Sequence, residues 1–241
     1  MSLILTAHGT RRPAGVAMIG DLAARVTALV DQTVHVAFVD VLGPTPSEVL
    51  SGLSLAAVSA QPAIVVPAFL SRGYHVRTDL PAHVTASGHP DVTVTTALGP
   101  SREITRILAH QLVKSGWRPD DSVILAAAGT SDHRALADLH TARTFLSTLT
   151  GSHVELVFAA TGGPDVCTAV ADARRSGARR IVVVSYLLAE GLFQERLRDC
   201  GADLVTPPLG EHPGLARLIA GRFRGAIRCQ LGSRRMLRMP N

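Results

Sequence analysis

Residues 2–10 read SLILTAHGT, and residues 122–130 read SVILAAAGT. The echo continues in order. VHVAFVDVLGP (34–44) is matched by VELVFAATGGP (154–164), and AIVVPAFLSRGYHVRTDL (63–80) by RIVVVSYLLAEGLFQERL (180–197). LGPSREITRIL (98–108) is matched by LGEHPGLARLI (209–219). Ordered matches at a nearly constant offset mark a tandem duplication, so any fold for this chain must be one that a single half can adopt twice. The halves are predicted at residues 1–114 and 122–225, joined by the polar linker SGWRPDD (115–121), with 226–241 as a basic tail.

Each half alternates short apolar runs with helical patterns. The runs at 2–8, 34–40, 63–69 and 92–98 are rich in β-branched residues and apolar at successive positions. That is the pattern of parallel strands covered on both faces. Between the first two, PAGVAMIGDLAARVTALV (13–30) puts Val16, Ile19, Leu22, Ala23, Val26, Leu29 and Val30 on one helical face. TPSEVL (45–50) reads as a capping box: Thr45 caps, Pro46 takes the first helical position and Glu48 reaches back. The βαβα order predicts an α/β fold of two tandem doubly wound parallel-sheet domains.

Composition excludes several functional classes. Cys167, Cys200 and Cys229 are odd in number and form no CxxC, which argues against a disulfide framework, a zinc ribbon or an iron–sulfur cluster and fits a reducing cytoplasm. The net charge of +5 suggests nucleic acid only until its location is noted. Residues 222–241 hold six arginines and no acid, and the rest of the chain carries 18 basic and 19 acidic residues. A frayed, solvated end is therefore expected there rather than a nucleic-acid arm. No apolar run approaches the roughly 20 residues of a bilayer span, and the N-terminus lacks the basic segment and cleavage site of a signal peptide.

The duplication supplies an internal comparison. Gly9 and Gly129 agree, as do Gly73 and Gly191, so these glycines are assigned to the fold. His8, Asp40 and His75 align instead with Ala128, Ala160 and Phe193. All three polar residues fall at the carboxyl ends of successive strands, where open α/β sheets bind ligands. Two imidazoles and a carboxylate suit a borderline divalent ion such as Fe²⁺, Co²⁺ or Zn²⁺, and they are proton acceptors near neutral pH. An acid after a strand often only caps a turn, so Asp40 is the weaker member of the set. The remaining histidines are read as solvated or packed residues. GTRR (9–12) matches neither the dinucleotide fingerprint nor the P-loop.

LILTAHGTRRP, VAFVDVLGPTPSEVL and VVPAFLSRGYHVRTDLPAHV closely resemble the sirohydrochlorin chelatase family of CbiX/SirB type, over two tandem copies spanning residues 2–220. The resemblance implies a bilobal chelatase fold and ATP-independent insertion of Fe²⁺ or Co²⁺ into sirohydrochlorin, on the way to siroheme or cobalamin. It implies that His8 and His75 bind metal and assist proton removal, with Asp40 standing where the family often has the longer glutamate. The metal is a substrate, and no organic cofactor is expected. Sirohydrochlorin is rich in carboxylates, and Arg11, Arg12, Arg72 and Arg77 flank the two histidines, so they are expected to hold its rim. Phe193 is expected to lie against the macrocycle from the opposite wall. The chain is expected to act as a cytoplasmic monomer whose halves form one cleft, without nucleic-acid or membrane partners. Iron is preferred over cobalt because no histidine-rich tail is present. The same site in a metal or tetrapyrrole carrier is the alternative. A histidine phosphatase is disfavoured because Ala7, not arginine, precedes His8.

Overall fold

A computed structural model describes residues 1–55 and 61–236. The first half runs β1 (Ser2–Ala7), α1 (Pro13–Val30), β2 (Val34–Phe38), α2 (Pro46–Leu55), β3 (Ala63–Pro67), α3 (Leu80–Ala86), β4 (Val92–Val94) and α4 (Arg102–Lys114). The second repeats it as β5 (Ser122–Ala127), α5 (His133–Thr150), β6 (Val154–Phe158), α6 (Val166–Arg175), β7 (Ile181–Tyr186), α7 (Leu192–Arg198), β8 (Leu204–Val205) and α8 (Pro213–Met236). Each half builds a four-stranded parallel sheet, ordered β2-β1-β3-β4 and β6-β5-β7-β8. The two-domain α/β architecture is therefore the one expected from the duplication.

Strand alternation sends successive side chains to opposite faces, and both faces are apolar. In the first sheet Leu3, Leu5, Ile64 and Val66 point one way, while Ile4, Ala37 and Val65 point the other, onto Leu50 of α2 and Leu80 of α3. In the second sheet Val123, Leu125, Val182 and Val184 face the same core as Leu3 and Leu5. One continuous core thus joins the halves through α1, α4, α5 and α8. The last helix of each half crosses over. α8 packs on β3 and α1 of the first half, and α4 packs on β7 and α5 of the second.

Local chemistry accounts for the helix starts. Glu48 N donates to Thr45 Oγ1 at 3.3 Å and Thr45 N donates to Glu48 Oε2 at 2.7 Å, closing the capping box. α5 begins on Asp132, whose Oδ1 accepts from Arg134 N and Ala135 N. Its repeat mate at the start of α1 is Arg12, which offers no such cap.

Several expectations need correction. β4 ends at Val94 rather than 98; beyond it the chain still runs beside the end of β3, but through separate bonds rather than a ladder, Thr95 N donating to Val65 O and Leu98 N to Phe69 O, both at 2.9 Å. Leu29 lies at the exposed end of α1, and Met18 joins the buried face instead. α1 is long and apolar enough, by length and composition, to cross a bilayer; here Ile19, Leu22 and Val26 bury it against the sheet as a core helix. The arginine-rich end does not fray from residue 222. It continues α8 to Met236, because Phe223, Ala226 and Ile227 form an apolar stripe on the core while Arg224 and Arg228 take the outer face. Arg224 anchors it to Leu29 O and Gln230 to Thr93 Oγ1. Residues 237–241 lie outside the described residues.

Candidate metal centre

His8 follows β1, Asp40 follows β2, and His75 follows β3 after a loop. Parallel strands end on the same side, so three residues 67 positions apart in sequence meet at one sheet edge. One ligand atom from each of His8, Asp40 and His75 lies within 4.8 Å of the others. The two imidazole rings are edge-to-face with centroids 4.4 Å apart. These distances fit donors that close around a divalent ion.

Each ligand is oriented by a neighbour. His8 Nδ1 lies 3.1 Å from Gly9 O, an acceptor only, which assigns the proton to Nδ1 and leaves Nε2 free. His75 Nδ1 lies 2.6 Å from Asp79 Oδ2, with the same consequence. A carboxylate behind a histidine fixes its ring and strengthens it as a donor. Asp79 is the site residue missed by sequence reasoning. It sits inside the GYHVRTDLP motif four residues after His75, and the helical turn His75–Asp79 puts residues at that spacing side by side. Asp40 Oδ1 accepts from Val41 N at 2.7 Å, leaving Oδ2 for an ion. Gly9, at φ +102, lies so close to the second strand's loop that an added Cβ would stand 2.2 Å from Asp40 O. The glycine packs the loops of His8 and Asp40 together.

A cleft of about 330 Å³ opens beside His75. Phe69, Ser71 and Tyr74 form one wall, and Gly129, Thr130 and Asp132 of the second half form the other. Phe193 is not among the lining residues, although it is 40% exposed at the start of α7. Strand register explains why. Ser2 pairs with Ala63 and Ser122 with Ile181, so His75 and Phe193 are equivalent in the two halves. The loop after β3 faces the loop after β5, and by the same approximate twofold the start of α7 faces the loop after β1, where Arg12 meets Glu195.

Three of the four arginines are not free rim groups. Arg12 pairs with Glu195 at 3.2 Å, Arg77 with Asp132 at 2.9 Å, and Arg72 with Asp138 through Nη2 to Oδ1 at 2.5 Å. Every one of these pairs crosses between halves, with the arginine in the first and the acid in the second. Arg12–Glu195 and Asp132–Arg77 are repeat-equivalent with their signs exchanged. Asp132 is held below the usual carboxylate range, first by its hydrogen bond from Ala135 N and also by Arg77. The expectation that four guanidiniums wait for substrate overlooks these acids, which no local pattern reveals. Among the described residues only Arg11 of the four has no ion-pair partner.

A profile of the CbiX family matches residues 2–115 and again 122–226. The chain belongs to the CbiX family. Among its relatives, a sirohydrochlorin cobaltochelatase of Priestia megaterium is 25% identical over 238 residues, covering 92% of this chain and 74% of that protein. The fold matches SirB from Bacillus subtilis with Fe³⁺ at a TM-score of 0.78 and 19% identity, over 92% of this chain and 94% of that one. It also matches CbiX, described as the terminal enzyme for biosynthesis of siroheme in denitrifying bacteria, at 0.69 and 20%, over 94% and 99%. The CbiX family match in both halves agrees with the repeat, and the donor set lies in the first half alone.

Proposed function

We propose that this chain is a sirohydrochlorin chelatase that inserts Fe²⁺ or Co²⁺ into the macrocycle without ATP. The observation that carries the reading is the convergence of His8, Asp40 and His75 at one strand-end edge. Family membership and the chelatase activity named for its relatives support it.

Insertion must strip water from the ion and take two protons from pyrrole N–H groups. His8 and His75 present Nε2 lone pairs that serve either task, and Asp40 adds a negative donor that stabilises the bound cation before transfer. As His75 takes a proton, Asp79 at 2.6 Å stabilises the imidazolium formed. The edge-to-face contact lets one imidazole hold the ion while its neighbour accepts a proton. Tyr74, 57% exposed beside His75, and Val41, exposed beside Asp40, offer apolar contact to a flat macrocycle. Exposed Leu192 and Phe193 extend that contact on the second half. Arg11 is available to substrate carboxylates, and Arg12 and Arg77 serve them by exchange from their acidic partners. Both halves contribute to one cleft in a monomer, and the thiols of Cys167 and Cys200 suit a reducing cytoplasm.

Anaerobic absorbance spectroscopy of sirohydrochlorin with Fe²⁺ or Co²⁺ tests the reading. Metallation faster than the uncatalysed reaction, with repeated turnover and no ATP, is expected. Saturation at one equivalent without turnover would make the protein a carrier instead.

A further inference from the structure

The loop that carries His75 is held by the other half of the chain. Arg72 donates its backbone N–H to Asp138 Oδ2 at 2.7 Å and its Nε to the same oxygen at 3.0 Å. Its Nη2 donates to Asp138 Oδ1 at 2.5 Å. Two residues earlier, Leu70 O accepts from Tyr186 Oη at 2.9 Å. Asp138 is only 2% exposed and Tyr186 only 3%. Burial, reinforced by the Asp138 charge, pushes the Tyr186 phenol far above its ordinary value, so the hydroxyl remains a donor at any working pH.

A buried carboxylate tied to an arginine is a poor route to stability, because packed apolar residues of similar volume serve as well or better. This protein contains that alternative. Asp138, sixth residue of α5, corresponds to Met18, sixth residue of α1. Strand register makes Tyr186 equivalent to Ala68. Met18 and Ala68 are both buried. Both sites press a glycine against the loop: a Cβ on Gly99 would meet Leu70 O at 2.4 Å and Tyr186 Oη at 2.6 Å, and one on Gly210 would meet Leu188 O and Met18 Sδ, both at 2.5 Å; at the second site Arg25 also donates to Gly210 O at 2.6 Å and to Glu211 O at 3.0 Å. The fold therefore tolerates an apolar grip on this loop. It uses a polar one only where the loop leads to a histidine of the candidate metal set.

We propose that Asp138 and Tyr186 are positioning residues, which fix residues 70–72 from the second half and thereby hold His75 at ligand distance from His8 and Asp40. The inference rests on the chelatase reading for its consequence in turnover, but its geometric content concerns metal affinity alone. It gives the half without metal ligands a specific task. Directional bonds to one carbonyl and one N–H fix the loop's position more narrowly than sliding apolar contacts do.

The test uses full-length Tyr186→Phe and Asp138→Asn, with Met18→Leu as the control on the equivalent apolar side. Three quantities are read: Co²⁺ affinity without tetrapyrrole, kcat and KM for sirohydrochlorin metallation, and the melting temperature. Removing groups that orient metal ligands typically costs 10–100-fold, and these act one layer further out, so a loss of about 3- to 10-fold in Co²⁺ affinity is expected. kcat should fall in step while KM for sirohydrochlorin stays within about twofold of wild type. Met18→Leu should leave Co²⁺ affinity unchanged. Wild-type affinity in folded Tyr186→Phe and Asp138→Asn overturns the proposal, as does an equal loss in Met18→Leu, which would mark a general packing effect. If wild type itself fails to metallate sirohydrochlorin, the chelatase reading falls, and the Co²⁺ comparison still decides the positioning role.

Discussion

Replacing Gly9 by alanine should damage the fold and the metal centre together, whereas the same change at Gly129, in the facing cleft wall, should damage the fold and leave the metal ligands in place. Both glycines have positive φ, +102 and +123, and both press against the next strand's loop. A Cβ on Gly9 would stand 2.2 Å from Asp40 O, and one on Gly129 would stand 2.2 Å from Thr161 O. A side chain in that backbone region costs about 1–3 kcal/mol. Forcing two loops apart by about 1 Å adds about 1–3 kcal/mol as overpacking. Each variant should therefore lose about 2–6 kcal/mol, or roughly 4–24 °C in Tm for a chain of this size. The consequences then diverge. At Gly9 the displaced loop carries Asp40 and the substituted loop carries His8, so Co²⁺ affinity should drop at least about tenfold. At Gly129 the loops carry Ala128 and Ala160, and Co²⁺ affinity should stay within about twofold of wild type. Calorimetric melting and anaerobic Co²⁺ titration on both variants decide the matter. Wild-type Co²⁺ affinity in Gly9→Ala, or an equal loss in both, would refute the reasoning.

Other outcomes follow from the same geometry. His8→Ala and His75→Ala should each lower kcat/KM by at least about 10²-fold, and Asp40→Ala by less, in anaerobic assays on variants with native circular dichroism. Burial, then the nearby His110, Arg217 and Lys114, hold His212 below its ordinary value. The unfolded chain therefore takes up that proton first, near pH 6.5, so stability present at pH 8 is lost as pH falls through that range. His212→Gln should flatten this limb of the urea-midpoint profile, and an unchanged profile would count against it. A fragment of residues 1–118 lacks α8, which covers β3 and packs on α1, so it should aggregate or dimerise in size-exclusion chromatography.

The parts legible in sequence are those set by local rules or by the repeat. β-branched runs announced the strands, Thr45 and Glu48 announced the start of α2, and the loss of three polar residues in one copy singled out His8, Asp40 and His75. What escaped was fixed by contacts between the halves. Arg12, Arg72 and Arg77 look like free cations until Glu195, Asp138 and Asp132 are seen opposite them. Tyr186 reads as a strand residue, and only the tertiary fold brings its hydroxyl to Leu70 O. Asp79 was visible in its motif, but its i,i+4 spacing from His75 becomes a contact only if residues 75–79 are helical. The arginines after residue 222 suggested a solvated end because charge was weighed without the apolar stripe that Phe223, Ala226 and Ile227 make on one helical face.

The central claim is that one half of this duplicated chain holds the metal while the other half supports it. Anaerobic titration calorimetry with Co²⁺, on wild type and on the His8→Ala/His75→Ala double variant, tests it most directly. One tight site per chain in wild type and none in the double variant is the predicted result. A tight site that survives in the double variant would place metal elsewhere and contradict the account.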